Sequence, residues 1–163
     1  MRIGVVSDTH NNLRNIDTII DLFNKEDLEL VIHTGDITNT KSLEKFKKLD
    51  CEFSGVYGNN DRGESGLIES AKSNNFNFQE PPHIINLMGR KIAVFHEPDF
   101  IDHFLEKNKD LDLILHGHTH RYRNEIKNGV LFFNPGESAG MLKGKNSVGV
   151  VNLKTLSAKR IFF

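Results

Sequence analysis

Short apolar runs end abruptly in polar turns throughout the first part of the chain. Residues 2–7, 28–33 and 52–57 are apolar and largely β-branched, and each run is followed by a turn rich in Asp, Asn and Gly. Runs of this length bounded by turn residues are typical of buried strands. The pattern therefore predicts three strands that end in polar loops.

Between these runs, apolar residues recur at spacings of three and four, which predicts helices with one buried face. The first stripe consists of Leu13, Ile16, Ile20 and Phe23. Either Asn11 or Asn12 is placed to cap the start of this helix. Shorter stripes follow at Leu43, Phe46 and Leu49, at Leu67, Ile68 and Ala71, and at Phe100, Ile101, Phe104 and Leu105.

Paired strands dominate the rest of the pattern. Residues 84–87 and 92–95 flank a tight turn, residues 122–126 and 130–133 flank Asn128-Gly129, a strong hairpin signal, and residues 147–153 and 158–163 close the chain. Strands that alternate with helices predict a largely parallel sheet, and the hairpins predict antiparallel strands beside it. The expected class is α/β and layered, with one domain spanning residues 1–163.

Composition and charge narrow the function. The chain has 163 residues and a net charge of -1, from 21 basic and 22 acidic residues, so no large basic face for duplex nucleic acid or anionic lipid is expected. The single cysteine, Cys51, has no internal disulfide partner. A polar residue as early as Asp8 argues against a signal peptide, and no apolar stretch approaches about 18 residues. These features predict a cytoplasmic protein without membrane segments.

Residues 113–120 carry the first sign of chemistry, because the apolar run Leu-Ile-Leu is followed by His-Gly-His-Thr-His. Imidazole is a common metal ligand. If the strand continues through Gly117, alternation places His116, His118 and His120 on one side. A bend at the glycine would instead aim His118 and His120 at different targets.

Potential metal ligands follow five of the predicted strands. They are Asp8 and His10, Asp36, Asn59 with Asp61 as an alternative in the same turn, His96, and His118 with His120. Strand ends gather along one edge of an α/β sheet, where ligands usually bind. Each residue alone could be a helix cap, a turn residue or a buried histidine, but five coincidences are not expected. Carboxylate, imidazole and amide ligands without a thiolate suit divalent ions such as Mn²⁺, Fe²⁺, Ni²⁺ or Zn²⁺.

The ordered set of ligands resembles the calcineurin-like metallophosphoesterase superfamily. Its blocks are Asp8-Thr-His10, Gly35-Asp36, Gly58-Asn59, His96 and Gly117-His118-Thr-His120. The small size, the start at residues 7–12 and Asn134-Pro-Gly136 resemble the compact prokaryotic phosphodiesterase branch, which is also similar to the vacuolar-sorting subunit of retromer, a scaffold protein. This resemblance implies an α/β/β/α sandwich of two mixed sheets flanked by helices, with the metal site at the C-terminal edge of the strands.

The resemblance also implies a role for each ligand. Asp8, His10 and His120 would hold one divalent ion, Asn59, His96 and His118 would hold a second, and Asp36 would bridge both. The implied catalytic residues are Asp36, Asn59, Asn60 and His96. Two ions per chain are implied, Mn²⁺ first, with Ni²⁺, Fe²⁺, Zn²⁺ or Co²⁺ as alternatives. A hydroxide shared by the two ions would attack phosphorus.

Three residues depart from the family pattern. Asn60 stands where the family often has a histidine near the leaving group, and an amide has no proton to release at neutral pH. Glu97 follows His96 where a glycine is usual, so the loop runs differently or Glu97 supports a ligand. Glu137 precedes Ser138, which puts the usual serine of the substrate loop in doubt.

The remaining candidates receive structural interpretations. His33, His83 and His103 lack partners at ligand spacing, and His116 is expected to support a ligand rather than bind metal. Four basic residues follow the histidine motif and could contact phosphate, although such charges are usually solvated: Arg121, Arg123, Lys143 and Lys145.

The leading hypothesis is a metal-dependent phosphodiesterase that acts on small diesters, without extended nucleic-acid binding. The alternatives are a non-catalytic metal-binding scaffold of the same fold, a phosphomonoesterase or a nuclease. The natural substrate stays open, as does homo-oligomerisation.

Overall fold

Four helices and eleven strands make up the computed structural model, which describes residues 1–163. The helices are α1 Leu13–Asn24, α2 Thr40–Lys45, α3 Leu67–Ser73 and α4 Ile101–Lys107. The strands are β1 Arg2–Val6, β2 Leu30–His33, β3 Glu52–Val56, β4 Asn77–Gln79, β5 His83–Leu87, β6 Arg90–Val94, β7 Leu113–Leu115, β8 Arg123–Lys127, β9 Val130–Asn134, β10 Ser147–Asn152 and β11 Ser157–Phe162. None of the helices combines the length and the apolar character needed to span a bilayer.

The strands form two mixed sheets. The first has the order β11-β10-β1-β2-β3-β4, in which β1 to β4 are parallel and β10 and β11 are antiparallel to their neighbours. The second has the order β5-β6-β7-β9-β8, with β6, β7 and β9 parallel and β5 and β8 antiparallel at its edges. The predicted antiparallel strands are thus divided between two sheets, because only β10 and β11 extend the first one.

Three apolar cores separate four layers. Ile3 and Ile32 of the first sheet meet Leu113 and Phe133 of the second in the central core. Helices α1, α2 and α3 cover the outer face of the first sheet, and α4 covers the outer face of the second. Burying these apolar faces against one another is the main favourable contribution to folding. The arrangement confirms the expected α/β/β/α sandwich.

Some local predictions differ from the structure. Strand β4 was not predicted, since three residues with two exposed members carry little periodic signal. The helical spacing places Phe100 and Ile68 on buried faces, yet these side chains are 65% and 47% exposed. Of the two candidate caps, Asn12 is the one used, because its side chain accepts a hydrogen bond from the backbone N–H of Asn15.

The loops that follow the parallel strands meet at one edge of the sandwich. Within the first sheet, the N–H of Asp8 donates to the carbonyl of Gly35 at 3.1 Å. Within the second sheet, the N–H of Gly117 donates to the carbonyl of His96 at 3.1 Å. The N–H of His118 then reaches the Asp8 carboxylate across the two sheets, at 3.2 Å. This edge therefore brings together loops that are distant in sequence.

Candidate metal centre

Five of the seven predicted metal ligands lie on left-handed backbone. The φ angles are 51° at Asp8, 45° at His10, 61° at Asp36, 65° at His118 and 55° at His120. Non-glycine residues rarely adopt this conformation, and strain of this kind concentrates at functional sites. Strand β7 ends at Leu115 and the backbone bends at His118, so His118 faces Asn59 whereas His120 faces Asp8, as in the second of the two predicted arrangements.

The first cluster of ligand atoms belongs to Asp8, His10 and His120, and these atoms lie within 4.8 Å of one another. One carboxylate oxygen of Asp8 accepts hydrogen bonds from the Ser7 hydroxyl and the His118 N–H. The other oxygen, Oδ1, faces Nε2 of His120 at 3.4 Å. Both Asp8 Oδ1 and His10 Nε2 are buried without a hydrogen-bond partner. Since unpaired buried polar atoms are costly, this cluster fits a cation.

The second cluster is formed by Asn59, His96 and His118. The backbone carbonyl of Thr34 can only accept, so Nδ1 of His96 donates to it at 2.8 Å and Nε2 is the atom free to bind metal. This Nε2 lies 2.9 Å from Oδ1 of Asn59. Nδ1 of His118 lies 3.0 Å from the same amide oxygen. Three potential ligands therefore converge on one point.

Asp36 lies between the two clusters. Its Oδ1 is 3.4 Å from Nε2 of His96, and its Oδ2 is 3.9 Å from Nε2 of His10. Asp8, Asp36 and His96 also form a group with ligand atoms within 4.8 Å of one another. Thus both carboxylates reach the second cluster, whereas the resemblance assigned Asp8 to one ion only.

Protonation in the metal-free site follows from these contacts. Burial opposes ionisation of Asp36, but hydrogen bonds from His96 and Asn60 outweigh it and hold the pKa of Asp36 below its usual range. Burial likewise opposes charging of His96, yet Asp36 raises the pKa of this imidazole. Asp8 raises the pKa of His120. Because imidazole must lose its added proton to bind metal, an ion entering this site displaces protons.

Glycines precede the ligands because no larger side chain fits. A Cβ at Gly35 would lie 2.5 Å from Nδ1 of His96. A Cβ at Gly58 would overlap the carboxylate of Asp36, and one at Gly117 would overlap the Ser7 hydroxyl. Neither Gly58 nor Gly117 has a left-handed backbone, so close approach is the reason for glycine there.

Asp61 was the alternative to Asn59 as a metal ligand, but its carboxylate binds backbone N–H groups instead. Its carboxylate accepts N–H groups of Asp36, Thr38 and Gly58 at 2.8, 2.6 and 2.7 Å. Burial raises the pKa of Asp61 against these hydrogen bonds. The side chain therefore ties the Asp36 loop to the Asn59 loop. The sequence contained no signal for this role beyond an acidic residue in a turn.

The three departures from the family pattern have specific contacts. The side-chain amide of Asn60 donates to Asp36 at 2.8 Å, so this group touches a ligand. Glu97 pairs with Arg62 at 3.0 Å and links two loops of the site. Glu137 is buried and accepts the N–H of Gly140 at 2.9 Å, which shapes the loop after it.

Ser138, whose role in a substrate loop was in doubt, and the histidines predicted as structural lie away from the ligand clusters or beneath them. Ser138 is buried and donates its hydroxyl to the carbonyl of Ser147 at 3.0 Å. His83 contacts the carbonyl of Gly55, and His103 is exposed beside Glu106. None of these groups faces the candidate ligands.

His33 is buried beneath the site. Its Nδ1 accepts the N–H of Gly35 at 3.1 Å, so Nε2 carries the proton and donates to the Thr9 hydroxyl at 2.9 Å. Burial lowers the pKa of His33 from 6.5 to about 3. This neutral imidazole therefore connects the loop that carries Asp8 with the loop that carries Asp36.

The chain is similar to known proteins along nearly its whole length. A family profile described as "Calcineurin-like phosphoesterase superfamily domain" matches residues 1–156. "Phosphodiesterase MJ0936" of Methanocaldococcus jannaschii is 32% identical over 163 residues, which cover 99% of this chain and 98% of the relative. The solved structure of an archaeal phosphodiesterase superposes with a TM-score of 0.91 at 31% identity, over 100% of both chains. Wild-type Vps29 of Entamoeba histolytica, solved with Zn²⁺, shares the fold alone, with a TM-score of 0.70 at 17% identity over 99% of both chains.

Gly58→Ala is expected to weaken metal binding by about tenfold or more, since the added methyl must displace the Asp36 carboxylate. Titration calorimetry with Mn²⁺ measures the affinity. Gly63→Ala is the control in the same loop, because a Cβ there meets open space. It is expected to cost about 1 kcal/mol of stability through its left-handed φ and to keep the affinity. Equal affinities for the two variants would contradict the proposed crowding.

His33 is expected to make stability depend on pH. Above about pH 6.5 both folded and unfolded His33 are neutral, whereas at lower pH only the unfolded form gains a proton, so stability falls by about 1.4 kcal/mol per pH unit until about pH 3. His33→Gln keeps a donor for Thr9 but cannot be protonated. Urea unfolding with chelator present, between about pH 6.5 and about pH 4.5, should show a slope smaller by that amount in the variant. Parallel profiles would mean that His33 is accessible to protons in the folded state.

Proposed function

The chain belongs to the calcineurin-like phosphoesterase superfamily, and from this premise we propose that it hydrolyses small phosphodiesters with two divalent metal ions. Membership of this family and the similarity to an archaeal phosphodiesterase support phosphoester hydrolysis that depends on divalent metal. One observation carries the finer proposal. The buried carboxylate of Asp36 lies between the two clusters of ligand atoms, with Oδ2 3.9 Å from Nε2 of His10 and Oδ1 3.4 Å from Nε2 of His96.

The residues of each cluster fit one ion. Asp8, His10 and His120 would hold the first ion, Asn59, His96 and His118 would hold the second, and Asp36 would bind both. The unpaired atoms Asp8 Oδ1 and His10 Nε2 support this assignment. The mixture of carboxylate, imidazole and amide suits Mn²⁺ first, and also Fe²⁺, Ni²⁺, Co²⁺ or Zn²⁺. Bound ions supply Lewis acidity, which makes water nucleophilic near neutral pH and offsets charge on phosphoryl oxygens.

The protein's own groups keep these ligands ready. The backbone and side-chain N–H groups of Asn60 donate to the two oxygens of Asp36 at 2.9 and 2.8 Å and favour its ionised form. The Thr34 carbonyl fixes the His96 tautomer. Asp61 holds the Asp36 loop through backbone N–H groups. Ligands fixed in this way lose little freedom when they bind an ion and substrate.

Asn60 supports a preference for diesters. An amide cannot supply a proton to an alkoxide leaving group, and this side chain already donates to Asp36. A positioned general acid raises the reaction rate by roughly 10²–10⁴-fold. Its absence should therefore slow the hydrolysis of monoesters with poor leaving groups more than that of other substrates. A diester that releases a stable phenolate needs less assistance, and such esters are the proposed test substrates.

The non-catalytic alternative has less support. A scaffold needs neither seven clustered ligands nor buried carboxylate and imidazole atoms without partners. Maintaining such atoms costs stability, which is explained if they bind ions used in a reaction.

Metal removal tests the proposal directly. Chelator-treated protein is expected to lose hydrolysis of bis(p-nitrophenyl) phosphate and to regain it with divalent transition ions, Mn²⁺ first. Metal content per chain, measured by mass spectrometry, should rise to two as activity returns. p-Nitrophenyl phosphate is expected to react more slowly than the diester. Full activity in metal-free protein would overturn the mechanism, and a faster monoester would overturn the substrate class.

Asp36→Asn is expected to reduce turnover more than Asn59→Ala does, by about tenfold or more, because Asp36 supplies charge to both ions. Asp110→Asn is a matched carboxylate-to-amide control on the surface, where Asp110 pairs only with Lys91. Steady-state kinetics and metal content are measured for all three variants. An Asp36→Asn protein that retains two ions and near-normal turnover would refute the bridging role.

A further inference from the structure

An open cleft of about 620 Å³ lies beside the second cluster of ligands. The exposed imidazole of His118 forms one part of its wall, and the cleft continues along Thr119, Arg121, Tyr122 and Arg123. No carboxylate lines this cleft, although the chain as a whole carries a net charge of -1. The cleft is therefore a locally cationic surface that reaches a candidate metal ligand.

The two arginines of the cleft differ in their partners. Arg123 is engaged, since its Nε donates to Glu125 at 2.8 Å and its guanidinium lies 4.3 Å from the centre of the Phe132 ring. Its Nη1 also lies 3.5 Å from Nε2 of the buried His116. The guanidinium of Arg121 is exposed and forms neither an ion pair nor a hydrogen bond within the protein. Arg121 thus has all of its side-chain donors available.

Thr119 offers a second free donor on the same wall. Its hydroxyl oxygen accepts the backbone N–H of Arg121 and the side-chain amide of Asn134, each at 3.3 Å. A hydroxyl has one proton and two acceptor positions, so with both acceptor positions used its proton is free to donate. A guanidinium and a hydroxyl donor side by side are well suited to phosphate oxygens.

We propose that this cleft binds a second phosphate group of the substrate, with Arg121 as the specificity-determining residue and Thr119 as an additional donor. The inference rests on the proposed function and narrows its substrate class to phosphodiesters that carry a further phosphate on one ester group. Shared lining of the cleft by Arg121, Thr119 and the candidate ligand His118 supports this placement. Thr119 lies between the candidate ligands His118 and His120 in the sequence and Arg121 follows directly, so a phosphate bound here would belong to the same substrate as the one being hydrolysed.

Two matched substrates test this assignment: the p-nitrophenyl ester of thymidine 5′-phosphate, and the same diester with a 3′-phosphate. The Mn²⁺-loaded wild type is expected to show the higher kcat/KM with the 3′-phosphorylated ester, by about tenfold, through a lower KM. Arg121→Gln should bring the ratio of the two kcat/KM values close to one and leave the unphosphorylated ester within about twofold. Lys127→Gln removes an exposed positive charge at the far end of β8 and should keep the ratio.

Product binding gives a readout that does not depend on turnover. Thymidine 3′,5′-bisphosphate should bind more tightly than thymidine 5′-phosphate in calorimetry, and Arg121→Gln should remove the difference. The inference is overturned if the wild type treats both esters alike, or if Lys127→Gln lowers the ratio as much as Arg121→Gln. Absence of hydrolysis of either ester with metal supplied would instead overturn the proposed function, since the unphosphorylated ester tests that step alone.

Discussion

A buried carboxylate that must stay ionised is the constraint on which the site depends. Asp36 is 2% exposed, and an isolated charge in such a place would be costly. In the metal-free site the cost is offset by three donor groups from two residues, namely the imidazole of His96 and the backbone and side-chain N–H groups of Asn60. Each donor follows a different strand from the one that leads to Asp36, so the charge is stable only when both sheets are assembled. Ionisation of this group and packing of the sandwich are thus coupled.

The loops achieve this assembly through backbone geometry that most residues avoid. Left-handed angles at Asp8, Asp36 and His118 turn side chains from separate strands toward one volume. Hydrogen bonds from fixed groups maintain these turns, as when Asp61 holds the N–H of Asp36 and His33 holds the N–H of Gly35. Strain of this kind persists only where the surrounding structure determines it fully. The apolar cores on both sides of the sheets provide that support, since the strand ends cannot move independently.

The sequence predicted the edge of the sheet at which the site lies, because polar residues follow one strand after another. The sequence did not show which polar residue of a turn would bind metal and which one holds the backbone. Asn59 and Asp61 are two residues apart and both polar, yet only the structure shows that the Asp61 carboxylate accepts hydrogen bonds from backbone N–H groups. The division into two sheets was equally inaccessible to periodicity, because hairpin strands have the same pattern in either sheet. The resemblance to a family supplied that division, and the ion-pairing state of Arg121 required the folded surroundings.

The arginines around the site differ in whether a carboxylate pairs with them. Arg62 is balanced by Glu97 and Arg123 by Glu125, so these arginines add little net field at the mouth of the site. Arg121 has no such partner, although it lies between the histidine motif and a hairpin that offers carboxylates. If the candidate metal centre holds two divalent ions as proposed, an unpaired guanidinium beside it would repel them unless an anion lay between. A substrate phosphate bound at Arg121, as proposed above, would supply that anion and offset the repulsion between the guanidinium and the ions.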